Sequence, residues 1–191
     1  MRTHETAVGD RWLSKARSPT LVQSPHLPRC IGVEDSGHIV LATAHPVHEQ
    51  AWALVGDGAA TLVAYLLAFS VQDPTKHMVR GWKNRQSVKD VDRGLWTGSN
   101  GLADEIETMA KTFFAQQGEV SDWDRHGLDG EANLMLMSFS LDGFPASLGV
   151  RNSGTQAKIS VSLRLSPSID SSKMSHLMKS LTDHLSSSMR T

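Results

Sequence analysis

The sequence predicts an α+β fold: an antiparallel sheet of about five strands with two to three helices packed against it. Three observations support this prediction. Two short β-rich runs near residue 35 form a hairpin pattern, three alternating runs after residue 134 form a meander, and apolar stripes at helical spacing lie between and after them. The short connections favour antiparallel neighbours.

The meander has the clearest strand pattern. Every second residue from Met135 to Leu141 is apolar, and the same alternation returns from Ile159 to Leu165. Asp142-Gly143 provides a turn, after which residues 146–150 form the middle strand. Over 158–165 the alternation predicts one buried and one solvated face, whereas the first half of 134–141 is apolar on both faces.

The N-terminal hairpin is predicted from residues 30–33 and 39–42, which flank an Asp-Ser-Gly turn. The next segment, 49–71, is ambiguous. Its composition favours helix, with Gly56-Asp57-Gly58 as an interruption and Asp57 as a cap, whereas a hairpin turning at Asp57-Gly58 is the alternative. The apolar run 59–71 is shorter than the ~20 residues that span a bilayer, so we expect a buried core element.

Two further helices are predicted from apolar stripes. The first has Leu102, Ile106, Met109 and Phe113 on one face, and Gly118 follows its end. The second is expected to be capped by Asp170. Its stripe consists of Met174, Leu177, Met178, Leu181 and Leu185.

Composition and spacing also indicate the domain organisation. Residues 1–28 are polar and proline-containing and predict an extended or mobile arm, followed by one α+β domain over 29–191 with a basic connector at 72–98. The chain has 191 residues, a net charge of −1 and a single cysteine. These values exclude a globally basic nucleic-acid protein and favour a cytoplasmic location, with no membrane association expected.

The order of elements over residues 30–71 and 134–188 resembles that of the Roadblock/longin type of small adaptor. More loosely, it is similar to secretion chaperones built from a curved sheet and helices. The resemblance is one of topology, and no motif residue carries it. It implies a protein that acts by binding other proteins.

The connector contains the first candidate site. Between residues 76 and 96 there are six basic and two acidic residues. Lysine and arginine neutralise phosphates and indoles stack on bases, so a nucleic acid or another polyanion is a candidate ligand. A solvated loop whose tryptophans insert into the domain is the alternative. The anion-binding candidates are Arg80, Trp82, Lys83, Arg85 and Trp96.

Metal and catalytic patterns are weaker. Asp122 and Asp124 occupy the first two ligand positions of an EF-hand-like calcium loop, but position five is His126 and position twelve is an asparagine. His45 and His48 are of a residue type that binds zinc, but their spacing differs from that of zinc-binding motifs. Together with Asp57 they are the candidates for the site of a small enzyme. The sequence therefore predicts no cofactor and no metal.

The leading hypothesis is a non-catalytic, adaptor- or chaperone-like module that binds a protein partner or its own copy through sheet and C-terminal helix surfaces. Methionine adapts to varied apolar partners, which suggests Met135, Met137, Met174 and Met178 as partner-binding residues. Packing of these residues in the core is the alternative. Binding of nucleic acid through 76–96 and catalysis near 45–57 are the competing functions.

Overall fold

The computed structural model describes residues 31–33, 39–44, 52–56, 58–71, 80–128 and 130–190. These residues belong to two compact units, divided between residues 78 and 79. The sequence predicted a single domain over 29–191. The predicted arm, residues 1–28, lies outside the described residues.

The described residues of the first unit include a three-stranded antiparallel sheet and a helix. Its strands are β1 (Ile31–Val33), β2 (Ile39–Ala44) and β3 (Trp52–Val55), in the order β1-β2-β3. Helix α1 (Gly58–Val71) follows. The predicted hairpin is confirmed, with Gly32 opposite Val40. The predicted helix is confirmed for the second half of 49–71. In the first half, Trp52–Val55 instead form a strand, which pairs with β2.

The second unit contains five strands and two helices. Strand β4 (Trp82–Lys89) comes first and, after a 3-10 turn at Arg93–Leu95, helix α2 (Gly101–Ala115) follows. The remaining elements are the strands β5 (Val120–Leu128), β6 (Glu131–Leu141), β7 (Phe144–Asn152) and β8 (Lys158–Leu165) and the helix α3 (Met174–Met189). The sheet order is β4-β8-β7-β6-β5, and every pair is antiparallel.

The α+β class is confirmed, and the meander is present as β6-β7-β8. The membership of the five-stranded sheet differs from the prediction. The hairpin belongs to the other sheet, and β4 and β5 occupy the two edges instead.

The core of the second unit lies between one face of its sheet and the two helices. Strand β6 turns alternate residues from Met135 to Leu141 inward, and β8 does the same with Ile159, Val161 and Leu163. The predicted stripe of α3 is confirmed, since Leu177, Met178, Leu181 and Leu185 are all buried. Helix α2 contributes Ile106 and Phe114, with Phe114 lying 4.6 Å from Phe139 between ring centroids.

Two local features refine the predicted ends of elements. Asp142 and Gly143 both have positive φ, 51° and 79°, which makes the β6–β7 connection a type I′ turn. Asp170 is not the cap of α3. Its carboxylate accepts hydrogen bonds from the backbone N–H and hydroxyl of Ser172, 2.9 and 2.8 Å away, in the turn before the helix begins. These bonds lower the pKa of Asp170.

Truncation of Met178 to alanine is expected to lower the free energy of unfolding of the protein by about 2–5 kcal/mol. The side chain is fully buried, so its removal leaves a cavity in the core. Urea denaturation followed by circular dichroism measures the effect. Leu95→Ala is the control, because Leu95 is 42% exposed and should cost about 0.5 kcal/mol or less. Equal losses in the two variants would contradict the assignment of Met178 to the core.

Candidate functional site

The four methionines proposed as partner-binding residues do not form a surface. Met135 and Met174 are 1% exposed, and Met137 and Met178 are fully buried. Their helical and alternating spacing directs them into the layer between sheet and helices, where they pack against leucines and phenylalanines. The alternative interpretation, core packing, is the one that the structure shows.

The predicted basic connector contains a strand rather than a loop. Residues 82–89 form β4, which pairs with β8 along its whole length. Alternation along β4 separates the basic residues from the tryptophan: Lys83 and Arg85 point to the exposed face, whereas Trp82 packs against the core. Arg80 is exposed immediately before the strand.

Trp96 is likewise unavailable for stacking on a base. It is 1% exposed, and its indole N–H donates to the backbone carbonyl of Asn133 at 3.0 Å. The amide of Asn152 donates to the carbonyls of Arg93 and Trp96, which fixes this segment against the sheet. Both tryptophans of the predicted anion site therefore pack in the protein. Of the anion-binding candidates, only the basic residues lie on the exposed surface.

These basic residues belong to a larger group, which the sequence analysis did not identify because its members lie on two strands that are distant in the sequence. Strand β8 places Arg164 opposite Lys83 and Lys158 opposite Lys89 on the sheet face away from the helices. We call this group the cationic face. It consists of Lys83, Arg85, Lys89, Lys158 and Arg164. Arg151 on β7 lies beside it and is held by Glu131 through two 2.9 Å hydrogen bonds.

The acidic segment that contains the weak metal candidates Asp122 and Asp124 is also a strand, β5. Asp122 has a positive φ of 53° at an irregularity in the β5–β6 pairing. The Asp124 carboxylate lies 2.8 Å from Nδ1 of His126. An extended strand does not wrap its side chains around one ion as an EF-hand loop does. Within the described ranges, no three His, Cys, Asp or Glu side chains are grouped so as to hold a metal.

His45, His48 and Asp57 lie outside the described residues. The hypothesis of a small enzyme with a site near 45–57 therefore stays a prediction.

A second polar cluster surrounds Arg125, at the opposite edge of the sheet. The guanidinium lies 2.6 Å from Asp104 and 2.9 Å from Glu107, and it also donates to the carbonyl of Gly98 at 3.1 Å. The indole N–H of Trp123 donates to the other oxygen of Glu107 at 2.9 Å. These bonds tie β5 to α2.

A hollow of about 410 Å³ lies next to this cluster, lined by residues that include Gly98, Arg125, Glu131 and Leu134. Its two charged groups already have partners in the protein, Arg125 with Asp104 and Glu107, and Glu131 with Arg151. The hollow is therefore a poor candidate for a site that binds a charged ligand.

The strongest exposed feature of the first unit is α1. Its sequence contains no charged residue, and seven large apolar side chains on it are between 44% and 81% exposed. They are Leu62, Val63, Tyr65, Leu66, Leu67, Phe69 and Val71. The prediction of a buried core element is therefore wrong, because these side chains are distributed around the whole helix and the three-stranded sheet covers little of it.

No known protein family and no curated protein matches this sequence. In the parts of the chain that the structure describes, no helix is long and apolar enough to cross a membrane. The fold and the exposed groups define an α+β protein of two units with two distinctive surfaces. One is the apolar helix α1 of the first unit, and the other is the cationic face of the second.

Glu107→Gln is expected to lower the free energy of unfolding by about 2 kcal/mol at neutral pH. Burial raises the pKa of Glu107, but hydrogen bonds from Lys111, Arg125 and Trp123 outweigh it, so the pKa lies below the ordinary 4.5. A carboxyl group whose pKa is lowered on folding stabilises the protein fully above about pH 4.5. This stabilisation is lost as the pH falls through the pKa of the folded state.

The difference between wild type and Glu107→Gln should therefore shrink in acid, which urea denaturation at pH 7 and pH 3 measures. Glu119→Gln removes an exposed carboxylate of the same unit and is the control, with an expected change within about 0.5 kcal/mol. A loss that is the same at both pH values would show that the charge of Glu107 is not responsible.

Proposed function

We propose that the protein is an interaction module that binds protein through α1, with a second copy of the chain as its partner. The observation that carries the proposal is the exposure of α1: an uncharged helix of 14 residues whose large apolar side chains are about half open to solvent. Such a helix is normally buried, because each exposed Leu or Phe side chain gains about 1.5–3 kcal/mol on full burial.

Within the described residues, α1 has few polar contacts with the sheet of the first unit. The Thr61 hydroxyl donates a 3.3 Å hydrogen bond to the carbonyl of Ile39 on β2. Tyr65 and Phe69 stack on one another at 4.9 Å between ring centroids, yet each remains 44% exposed. Contacts within the helix leave its apolar surface open for a partner.

The chemistry of α1 favours a protein as occupant over a lipid surface. A helix that lies in a membrane interface combines an apolar face with a polar face rich in lysine and arginine, and α1 has neither residue. Two copies of the same uncharged apolar surface are mutually compatible without any complementary charge. A twofold pair of α1 helices is the simplest assembly that covers both surfaces.

This proposal retains the adaptor-like function predicted from the sequence but changes its surface. The methionines of the sheet and of α3 are core residues, and α1 takes over the role assigned to them. A cytoplasmic location is part of the proposal, supported by the single cysteine.

Leu66→Lys is expected to shift the protein from a dimer to a monomer. The side chain is 62% exposed, and a lysine there would place a charge within the apolar contact while keeping a high helix propensity. Light scattering on a size-exclusion column over a range of protein concentrations measures the mass. Leu95→Lys introduces the same charge at an exposed leucine of the second unit and should leave the mass unchanged.

Circular dichroism melting of both variants shows whether they remain folded. A wild-type protein that is monomeric at every concentration would refute self-association, as would a Leu66→Lys variant that remains folded and dimeric. If wild type floats with liposomes and the Leu66→Lys variant does not, α1 binds lipid, and the proposal of a protein partner is wrong.

A further inference from the structure

We propose that the outer edge of β4, the side of the strand away from β8, binds an extended acidic segment of a partner protein as a further antiparallel strand. This inference concerns the second unit and does not depend on self-association through α1. It rests on the direction of the backbone groups of β4 and on the charges of Arg85 and Lys89. Within the described residues, the sheet of the second unit ends at β4 on this side.

The pairing of β4 with β8 fixes which backbone groups point outward. In an antiparallel pair, residues that exchange hydrogen bonds with the neighbouring strand alternate with residues whose N–H and C=O point the other way. Asp90 donates its N–H at 2.8 Å to the carbonyl of Ala157, the residue opposite it when the register is continued by one position. Counting back from this bonded pair, Arg85, Ser87 and Lys89 direct their backbone groups to the outer edge.

The side chains of one cross-strand pair agree with this direction. Ser87 lies opposite Ser160, and their hydroxyl oxygens are 2.7 Å apart. Pairs that do not exchange backbone hydrogen bonds bring their side chains closer together than bonded pairs do. Ser87 is therefore expected to offer its N–H donor and its C=O acceptor to the outer edge.

The two edge strands of the sheet differ in their regularity. Strand β5 has register shifts at two places in its pairing with β6, and Asp122 within it has a φ of 53°. Irregularities of this kind protect an edge from further pairing. Strand β4 pairs with β8 without a shift and contains no proline, and it ends where Asp90 has a φ of 58°. The edge that a further strand can follow is therefore that of β4.

The charges on β4 select the kind of strand that can pair with it. Arg85 and Lys89 are exposed on the same face and lie about 13 Å apart along the strand. A second copy of β4, paired antiparallel about Ser87, would place Arg85 opposite Lys89 twice, and like charges in opposed positions are destabilising. Carboxylates in the same positions would be stabilising instead. The occupant that fits is thus a strand with acidic residues at alternate positions.

Helix α3 holds β4 in place from the core side. The Thr182 hydroxyl lies 3.3 Å from the side-chain oxygen of Gln86. The backbone N–H of Asp92 donates to the carbonyl of Met189 at 2.8 Å, just beyond the end of β4. The edge is therefore ordered before binding, so the ordering cost falls mainly on the partner segment. Inward positions of that segment would lie beside the half-buried Gln86, where a threonine is suitable.

The first test is fluorescence anisotropy of a labelled peptide, Thr-Glu-Thr-Glu-Thr-Glu-Thr, with the full-length protein. Its glutamates can lie opposite Arg85, Ser87 and Lys89. Wild type should bind it more tightly than the same peptide with lysine in place of glutamate. N-methylation of the three glutamates removes the N–H groups that face β4 and should weaken binding about tenfold or more. N-methylation of the last three threonines, whose N–H groups face away, is the control and should change the affinity by about twofold or less.

The second test changes the edge itself. Ser87→Pro removes an outward N–H and obstructs a further strand, while edge strands tolerate proline where the N–H faces solvent. It should weaken binding of the glutamate peptide about tenfold. Ser87→Ala removes the hydroxyl but keeps the N–H, and it should bind like wild type.

The third test concerns the charges. R85Q/K89Q should weaken binding of the glutamate peptide about threefold or more, because two cross-strand charge pairs are lost. K111Q/K173Q removes the same charge from exposed lysines outside β4 and should bind like wild type.

The N-methylated peptides are measured on wild type, so the result does not depend on whether Ser87→Pro folds. An absence of binding by wild type would overturn the proposal. Equal affinities of the two N-methylated peptides would also overturn it, because they would show attraction between charges without backbone pairing. If Ser87→Pro remains folded and makes a dimeric protein monomeric whereas Leu66→Lys does not, a second copy occupies the edge and the acidic partner is wrong.

Discussion

The two helices of the second unit cover one face of its five-stranded sheet, and this one-sided burial determines where its chemistry lies. Side chains alternate across a strand, so each inward apolar residue fixes an outward neighbour. Val161 and Leu163 enter the core, and Ser162 and Arg164 therefore face outward. The cationic face is a consequence of the same register that builds the core.

Polar contacts lock the edges of that arrangement. At one edge, Arg125 and Trp123 hold β5 to α2 through Glu107. At the opposite edge, the Thr182 hydroxyl on α3 lies 3.3 Å from the side-chain oxygen of Gln86 on β4. The backbone N–H of Asp92 donates to the carbonyl of Met189 at 2.8 Å, which attaches the end of α3 to the segment after β4. Both edge strands are thus fixed to the helical layer.

The two units differ in how completely they bury apolar residues. In the second unit the apolar stripes of α2 and α3 face the sheet, and their polar sides face solvent. In the first unit, α1 is apolar around its whole circumference and is largely exposed. A contact with a partner would supply the burial that the three-stranded sheet does not provide, whereas the residues that β4 and β8 turn away from the core are polar or charged.

The sequence by itself determined the elements whose apolar residues repeat with a single period, namely the meander, α2 and α3. It missed β4 because the inward face of that strand is apolar only at its ends: Asn84 and Gln86 lie between Trp82 and Val88 and interrupt the hydrophobic period. It also misjudged 59–71, because composition reveals that a segment is apolar but not whether anything covers it. Only the tertiary structure decided the strand order. That order places β4 beside β8, and pairing between distant strands depends on backbone hydrogen bonds and shared burial, which no local pattern records.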